Sequence, residues 1–453
     1  MDGCYGGNRK EEQVSQDEVS NKAVRLHNVG EDWPHLRHVR GIDQYWARAL
    51  MMDGATVLVH GERSDDVDLL LEDYARVGVR PHPIYVPRRS DSFYADVLAD
   101  DSTMRTLQLY VERGGKIEVF SSSSAAEEFV RAAGFDWQQH VASPTPECYR
   151  IWVGKGEMRR RLMDSGVPAL QTLCPSNRIV TRLEDLDYWV DHFSVDGAHG
   201  VVVKRPDMAS GEGMQFMPKR GRPDRFMAEH WDPTVGAIVE AAYEHLPFSV
   251  VYRITGDAVM FQFASLQWQG HGIRLGERMT MAELIEGNLD HRGNMTAAPG
   301  CDIGPLRWGM IQAAADAIRP LMEMLRADGY RGLVCCDLGE VTNMASFAFE
   351  LNTRVSHSMY VSAFRWPVQV HFNENVWAVG ANVEGIDPGI VTYRGARARV
   401  PNLCLGATAS GVQFYNTPLL GLGLCKCGVI GIGRSFGEAR EQFEAAEREL
   451  QAA

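Results

Sequence analysis

The sequence has 453 residues, of which 45% are hydrophobic and 23% are charged, and its formal net charge is -13. These values indicate a folded chain of several domains and disfavour a nucleic-acid binder, which usually carries a basic face. No uninterrupted apolar run is long enough to cross a bilayer, and the nine cysteines lack the spacing of a disulfide framework. We therefore expect a cytoplasmic protein with no nucleic-acid or membrane partner.

The N-terminal third predicts a small α/β domain. The first 40 residues or so are polar and charged and lack periodicity. We expect a flexible tail in the first half of that stretch and ordered structure from about Tyr45. Residues 54–60 predict a buried strand, residues 65–77 a helix, and residues 83–87 and 117–121 two more strands. Strands separated by helical stretches indicate a parallel sheet.

The pattern changes near Ile151. A helix is predicted for residues 155–164, because Gly166 and Pro168 follow it. A long amphipathic helix is predicted for residues 305–327 and ends at Gly329. The remaining predicted elements are strand pairs in residues 197–217, 237–254 and 332–354, and a last helix in residues 435–450.

The last of these strand pairs carries two carboxylates. Alternation along a strand places Glu350, Asn352 and Arg354 on one face, and Asp337 on the neighbouring strand can approach Glu350. Two carboxylates and an amide oxygen suit Mg²⁺, with phosphate oxygens completing its shell. Arg354 suits phosphoryl oxygens. The alternative is a surface strand with unrelated polar residues, which does not explain why the asparagine shares a face with the glutamate and the arginine.

Three further segments suit a nucleotide. A buried strand ends at Lys204 and is followed by a glycine-rich turn at residues 210–214, whose N–H groups can approach phosphate closely. Any β-hairpin can carry such a turn. Lys155 opens the predicted helix, where a lysine can contact phosphates, although an exposed lysine is the alternative. A later strand containing Glu240 can present backbone groups to adenine, with Glu240 accepting from ribose hydroxyls or the amino group.

The order of these segments, lysine helix, lysine strand with glycine turn, hinge strand and carboxylate hairpin, resembles the ATP-grasp superfamily. That superfamily includes D-alanine–D-alanine ligase and biotin carboxylase, and the resemblance covers roughly residues 151–364. It implies ATP and Mg²⁺ as cofactors, with Mn²⁺ as the alternative ion. One departure is Asp337, where the superfamily more often has glutamate, so the reach is shorter and the charge is kept.

Carried over position by position, the resemblance implies a role for each motif residue. Residues 210–214 look like the mobile lid over the phosphates, and the strand with Glu240 looks like the adenine hinge. The implied nucleotide-binding residues are Lys155, Lys204, Ser210, Gly211, Gly213, Glu240 and Ala242. The implied metal ligands are Asp337, Glu350 and Asn352, and Arg354 is the implied catalytic residue that holds the acyl phosphate.

Short flanking motifs narrow the resemblance. Trp46 and residues 54–59 are similar to the pre-ATP-grasp unit of pheganomycin-type peptide ligases, and residues 247–250 to their Pro-Ser-Val strand. Residues 411–433 and the closing helix are similar to their small C-terminal domain. The implied fold is α/β, an ATP-grasp fold with an N-terminal parallel α/β (pre-ATP-grasp) domain and a small C-terminal α+β domain.

This resemblance implies a division of the chain into five segments. They are a polar tail and lead-in (1–40), the pre-ATP-grasp domain (41–145), the lysine and glycine-lid subdomain (146–235), the hinge and metal-binding subdomain (236–385) and the C-terminal domain (386–453).

The implied activity is an ATP-dependent carboxylate-amine ligase of specialised metabolism. It would form an amide or peptide bond through an acyl phosphate and release ADP and phosphate. Its partners would be a small carboxylic acid or amino acid and an amine or peptide, and the oligomeric state, including a homodimer, is left open. A carboxylase stays open, although residues 248–252 lack the expected His and Glu of a biotin carboxylase. A catalytically silent nucleotide-binding module also stays open, although the sequence keeps both lysines, all three implied metal ligands and the arginine.

Other motifs have weaker functional interpretations. The glycines of residues 428–433 resemble a dinucleotide turn, but no acidic residue follows within a βαβ unit. The cysteine pairs at residues 335–336 and 425–427 lack a second pair at zinc spacing, which favours buried small side chains. His357 and Arg253 are candidates for substrate contacts, with a structural histidine and a surface ion pair as alternatives.

Overall fold

A computed structural model describes residues 23–33, 40–171, 177–193, 200–206, 213–217, 221–242, 246–268, 293–297, 308–340 and 347–451. The chain forms two compact units. The first comprises Met1–Pro146, Ala363–Val376 and Val383–Ala453, and the second comprises Glu147–Ser362 and Trp377–Asn382. The five-segment division stays a prediction.

The strands in the described ranges are β1 (Ala23–Leu26), β2 (Thr56–His60), β3 (His82–Val86), β4 (Lys116–Val119), β5 (Asn177–Val180), β6 (Gly200–Lys204), β7 (Met214–Met217), β8 (Ala237–Ala242), β9 (Leu246–Ile254), β10 (Val259–Trp268), β11 (Gly293–Ala297), β12 (Gly332–Glu340), β13 (Phe347–Asn352), β14 (Trp377–Glu384), β15 (Gly411–Tyr415) and β16 (Lys426–Gly433).

The α-helices in the described ranges are α1 (Val29–Asp32), α2 (Asp65–Arg76), α3 (Phe93–Ala99), α4 (Asp101–Glu112), α5 (Ser124–Ala132), α6 (Trp137–His140), α7 (Pro146–Trp152), α8 (Lys155–Asp164), α9 (Pro168–Gln171), α10 (Leu183–Phe193), α11 (Asp224–Glu229), α12 (Trp308–Ala327), α13 (His357–Phe372), α14 (Tyr393–Arg399), α15 (Pro418–Gly421) and α16 (Phe436–Gln451), and a 3₁₀ helix spans Ile42–Met51. None of the helices in the described ranges has the length and apolar character that crossing a membrane requires.

The first unit contains a four-stranded parallel sheet in the order β3-β2-β1-β4. This confirms the predicted parallel α/β arrangement. The prediction that ordered structure begins near Tyr45 is wrong, because β1 is buried and pairs with both β2 and β4. Arg25 sits in this strand because Glu118 lies directly opposite on β4, 3.0 Å from Nε of Arg25. A charged residue in a short strand hid the strand from periodicity.

Local sequence signals fix the helices of this unit. Ser64 caps α2 by accepting a hydrogen bond from the backbone N–H of Val67, and Asp65 and Asp66 favour the positive end of the helix dipole. Apolar side chains of α3, α4 and α5 pack against the sheet. Buried side chains of this core include Val24, Leu58, Phe93, Leu107, Ile117 and Phe129.

The C-terminal glycine run of the first unit has a packing reason. β15 and β16 are antiparallel, and Gly431 lies opposite Val412. A Cβ atom at Gly431 or Gly433 would collide with the backbone of Ala439 in α16. The glycines therefore let α16 lie directly against the strand, which accounts for the motif without a dinucleotide.

The second unit contains a small antiparallel sheet in the order β5-β8-β6-β7. α10 packs on one face through Leu186, Val190 and Phe193. Gly200 begins β6, where a Cβ atom would overlap the ring of Phe216 on β7. All five residues of β6 are buried, and this strand delivers Lys204 to one end of the sheet.

A larger antiparallel sheet in the second unit follows the order β13-β12-β9-β10-β11-β14. α12 covers one face, and the hydroxyl of Tyr252 on β9 donates to the carbonyl of Ala315 at 2.7 Å. α12 ends before Gly329, which has φ of +88°, as the sequence predicts. The predicted hairpin of β12 and β13 is also confirmed.

Candidate active site

Two carboxylates face each other on the hairpin of β12 and β13. Asp337 lies directly opposite Glu350, as alternation predicts. Oδ1 of Asp337 accepts a hydrogen bond from the hydroxyl of Ser249 at 2.6 Å, and Oδ2 accepts one from Nδ2 of Asn352 at 2.8 Å. The carboxylate is therefore oriented by donors from both neighbouring strands.

The two carboxyl groups have different proton affinities. Burial raises the pKa of Asp337 to about 6, and the charge of Glu350 adds to this effect. Burial acts on Glu350 in the same direction, but the positive charges of Lys155, Arg354 and Lys204 outweigh it and lower its pKa. Glu350 is thus the carboxylate already compensated by cations, whereas Asp337 lies in the less favourable position for a negative charge.

Lys155 connects the start of α8 to this hairpin. Its Nζ lies 3.4 Å from Oε2 of Glu350, and its side chain is 6% exposed. Its backbone N–H donates to the carbonyl of Pro206 at 3.2 Å, which attaches the helix start to the turn after β6. The structure therefore brings the predicted lysine helix, the lysine strand and the carboxylate hairpin together.

A second ion cluster lies between α8, β6 and β8. Nε and Nη2 of Arg159 both donate to Oε2 of Glu240, at 3.0 and 2.6 Å. Nζ of Lys204 donates to Oε1 of the same carboxylate. All three side chains are buried. Glu240, predicted to face a ribose or an adenine, thus has two cationic partners within the chain.

This cluster carries one more positive charge than negative charge. Burial disfavours the charge of Glu240, but Arg159 and Lys204 outweigh that effect and hold its pKa at about 2. Burial and the charges of Arg159 and Lys155 together lower the pKa of Lys204 to about 8, against the pull of Glu240. A buried surplus cation is costly unless an anion joins it, so the cluster favours an anionic ligand.

Two residues of this site were missed from the sequence. Arg159 follows Lys155 by four positions, and that spacing places both side chains on one face of α8. Its ion pair with Glu240 depends on β8, a distant strand. Ser249 was noted as part of a motif, but its hydrogen bond to Asp337 depends on the pairing of β9 with β12.

The other predicted site residues are placed as follows. Arg354 is partly buried two residues after β13, and burial lowers the pKa of its guanidinium against the pull of Glu350. Ala242 is buried at the end of β8. Gly213 has φ of +64°, and its carbonyl accepts from the backbone N–H of Arg205 at 2.9 Å. Ser210 and Gly211, with most of the predicted lid, lie outside the described residues.

The weaker candidates stay predictions. His357 is the first residue of α13. Arg253 lies four positions after Ser249 on β9, so the two side chains share a face, because alternate residues of a strand point the same way. Cys335 and Cys336 are buried thiols, and Sγ of Cys335 lies 3.6 Å from Oδ1 of Asp337.

The donor set fits a hard divalent cation. Asp337 and Glu350 supply two carboxylates, and Nδ2 of Asn352 is committed to Asp337, which leaves its amide oxygen as a further ligand. Across the described ranges, no group of three or more His, Cys, Asp or Glu side chains could hold a metal by itself. The residues thus fit an ion that takes the rest of its shell from phosphate, as Mg²⁺ does.

Comparison with known proteins identifies the fold. No family model matches the sequence, and no curated protein matches it significantly. The structure is similar to the biotin carboxylase domain of 2-oxoglutarate carboxylase from Hydrogenobacter thermophilus, with a TM-score of 0.54 and 13% identity over 94% of this chain and 89% of that chain. It is also similar to biotin carboxylase from Campylobacter jejuni, with a TM-score of 0.53 and 12% identity over 95% and 91% of the two chains.

A third similar structure is carboxyaminoimidazole ribonucleotide synthase from Aspergillus clavatus, solved with ATP. It matches with a TM-score of 0.53 and 13% identity over 95% of this chain and 98% of that chain. All three neighbours are ATP-grasp enzymes, and the chain therefore has the ATP-grasp fold. At these identities the likeness concerns the fold, and the peptide-ligase resemblance stays a prediction.

Proposed function

We propose that this chain is an ATP-dependent ligase that joins a carboxylic acid to an amine through an acyl phosphate. The observation that carries the proposal is the ion pair between Lys155 and Glu350. This ion pair connects the start of α8, where a lysine suits phosphate, to the hairpin of β12 and β13, whose carboxylates suit a metal ion. These two elements are needed together when a γ-phosphoryl group is held and transferred.

The proposed site residues fall into two groups, cations that bind phosphate and oxygen ligands that bind the metal ion. Lys155 and Lys204 would neutralise the nucleotide phosphates, and Asp337, Glu350 and Asn352 would hold Mg²⁺. When bound, Mg²⁺ would withdraw negative charge from the phosphate oxygens. Mn²⁺ is the alternative ion. Arg354, beside the hairpin, would stabilise the charge that spreads over the transferred group.

The proposed reaction has two balanced steps. A carboxylate oxygen of the acid substrate attacks the γ-phosphorus, the bond from that phosphorus to the bridging oxygen of ADP breaks, and ADP leaves. The amine then attacks the acyl carbon, the bond to the phosphate oxygen breaks, and phosphate leaves while the amine nitrogen loses a proton. The chain's part is to position the reactants and to hold the charge, and the glycine-rich segment at residues 210–214 would exclude water.

The finer assignment rests on the sequence motifs of both flanks. They favour a peptide or amide ligase of specialised metabolism that takes an amino acid or small acid and an amine or peptide. A carboxylase is the rival, because the similar structures include biotin carboxylases, one of them solved with MgADP and bicarbonate. A silent nucleotide-binding module is the other rival.

Trapping with hydroxylamine tests this proposal. Purified protein, ATP and Mg²⁺ are incubated with a panel of amino acids, small carboxylic acids and dipeptides, and nucleotide products and hydroxamates are measured. We expect one acid or a few to give ADP together with a hydroxamate, because hydroxylamine is small and intercepts an acyl phosphate. Glu350→Gln is the matched inactive variant.

The alternatives give different products. AMP with pyrophosphate would indicate an acyl adenylate and overturn the acyl-phosphate step. ADP release that depends on added bicarbonate would favour the carboxylase. ATP binding without any product over the whole panel, with and without bicarbonate, would favour the silent module.

A further inference from the structure

Arg159 is a buried cation for which the proposed chemistry has no direct use. Its side chain is 1% exposed, and it lies on α8 one turn after Lys155. It directs two N–H groups at one carboxylate oxygen of Glu240. The other oxygen of that carboxylate binds Nζ of Lys204. Each carboxylate oxygen therefore has its own cation.

The arrangement matters because of the charge that remains. Lys204 and Glu240 alone would form a neutral pair, which attracts an anion only weakly. With Arg159 added, the cluster has a net charge of +1 in a buried place, where charge interacts strongly. The neighbouring Lys155 adds to the positive field at Lys204. Its charge lowers the pKa of Lys204, and both lysines lower the pKa of Glu350.

We propose that Arg159 is a positioning residue that compensates the charge of Glu240, so that the charge of Lys204 remains available to a nucleotide phosphate. This inference rests on the proposed function and goes beyond it, because it assigns a role to a residue outside the proposed phosphate-binding and metal-binding set. It also gives Glu240 a role within the protein, as the fixed partner that orients Lys204.

A double-mutant cycle separates this role from simple packing. The variants are Arg159→Met, Glu240→Gln and the two combined, with Arg160→Met as matched control, because Arg160 is exposed on the same helix and pairs with Glu157. The probe is the non-hydrolysable ATP analogue adenylyl imidodiphosphate with Mg²⁺, measured by titration calorimetry. Adenosine serves as the probe without phosphates.

We expect Arg159→Met to weaken the ATP analogue by roughly tenfold or more, because one charge-assisted contribution is lost. Affinity for adenosine and for the analogue in Arg160→Met should be unchanged. The combined variant should bind the analogue within about threefold of wild type, because removing both charges restores the net charge of +1.

Three results would overturn the inference. They are unchanged analogue affinity in Arg159→Met, equal loss for adenosine and the analogue, and a combined variant as weak as Arg159→Met. Wild-type protein that binds no ATP analogue would instead overturn the proposed function itself.

Discussion

Nζ of Lys155 lies 3.4 Å from Oε2 of Glu350, which ties the first residue of α8 to the carboxylate hairpin. The same hairpin places Asp337 opposite Glu350. The charge of Lys155 lowers the pKa of Glu350 and so keeps this proposed metal ligand ionised before an ion binds. This contact makes the phosphate side and the metal side of the candidate site one electrostatic unit, and the predictions below start from it.

Loss of a metal ligand should abolish turnover and leave the fold intact. In Glu350→Gln or Asp337→Asn, ADP release with Mg²⁺ should fall by roughly a hundredfold or more, because a charged ligand of the ion is removed. Asp257→Asn, at the exposed turn between β9 and β10, is the matched control. Melting temperature and circular dichroism check the fold. Normal ADP release from either purified variant would contradict the metal assignment.

Lys204 should contribute to nucleotide affinity far more than a lysine outside the candidate site does. Lys204→Ala removes a buried cation at the end of β6, and we expect the ATP analogue to bind more weakly by about 1.5–3 kcal/mol. Lys116→Ala, at a half-buried position on β4 of the first unit, is the control. Titration calorimetry measures both variants, and equal affinities would reject the role of Lys204.

Nucleotide affinity should fall on the alkaline side. Burial and Arg159 lower the pKa of Lys204 to about 8, so its side chain is cationic below that pH and loses its charge above it. Bound phosphate favours the cation and raises the pKa of Lys204 above its value in the free protein. Between these two pKa values the affinity falls by roughly tenfold per pH unit, so binding should weaken as the pH rises from 7 to 9. Lys204→Arg should flatten this profile. A flat wild-type profile would show that Lys204 does not titrate in this range.

Arg354 should affect phosphoryl transfer more than nucleotide binding. Arg354→Ala should lower hydroxamate formation by roughly 10²–10³-fold, because the arginine would stabilise charge that develops in the transition state. Affinity for the ATP analogue should change by less than about threefold. Arg331→Ala, at an exposed arginine immediately before β12, is the control. A variant that loses both properties equally would place Arg354 in ground-state binding instead.

The chain before β1 should be dispensable, whereas β1 is not. Deleting residues 1–20 should leave melting temperature and ADP release nearly unchanged. Deleting residues 1–27 removes β1, and both neighbouring strands lose a partner. Val24 and Leu26 of β1 are fully buried, and the burial of each side chain stabilises the fold by about 1.5–3 kcal/mol. That longer deletion should unfold or aggregate the first unit. Similar melting temperatures for the two deletions would contradict the central place of β1.

Local periodicity was enough to predict several parts of this protein. Strand alternation placed Asp337 and Glu350 together, Gly329 marked the end of α12, and Gly166 and Pro168 marked the end of α8. These features depend on neighbours a few residues apart, so the sequence contains their physical cause. The ATP-grasp arrangement followed from the order of such segments along the chain.

Tertiary structure alone decided which charges meet. Arg159 was invisible because its only sequence signal is a helix face, and its meaning depends on Glu240 arriving on β8. β1 was missed because Arg25 breaks its apolar run, and Glu118 on β4 is what makes the buried arginine tolerable. A buried charge needs a partner of opposite charge. Which residues become partners depends on how distant strands and helices pack together, and local periodicity carries no information about that packing.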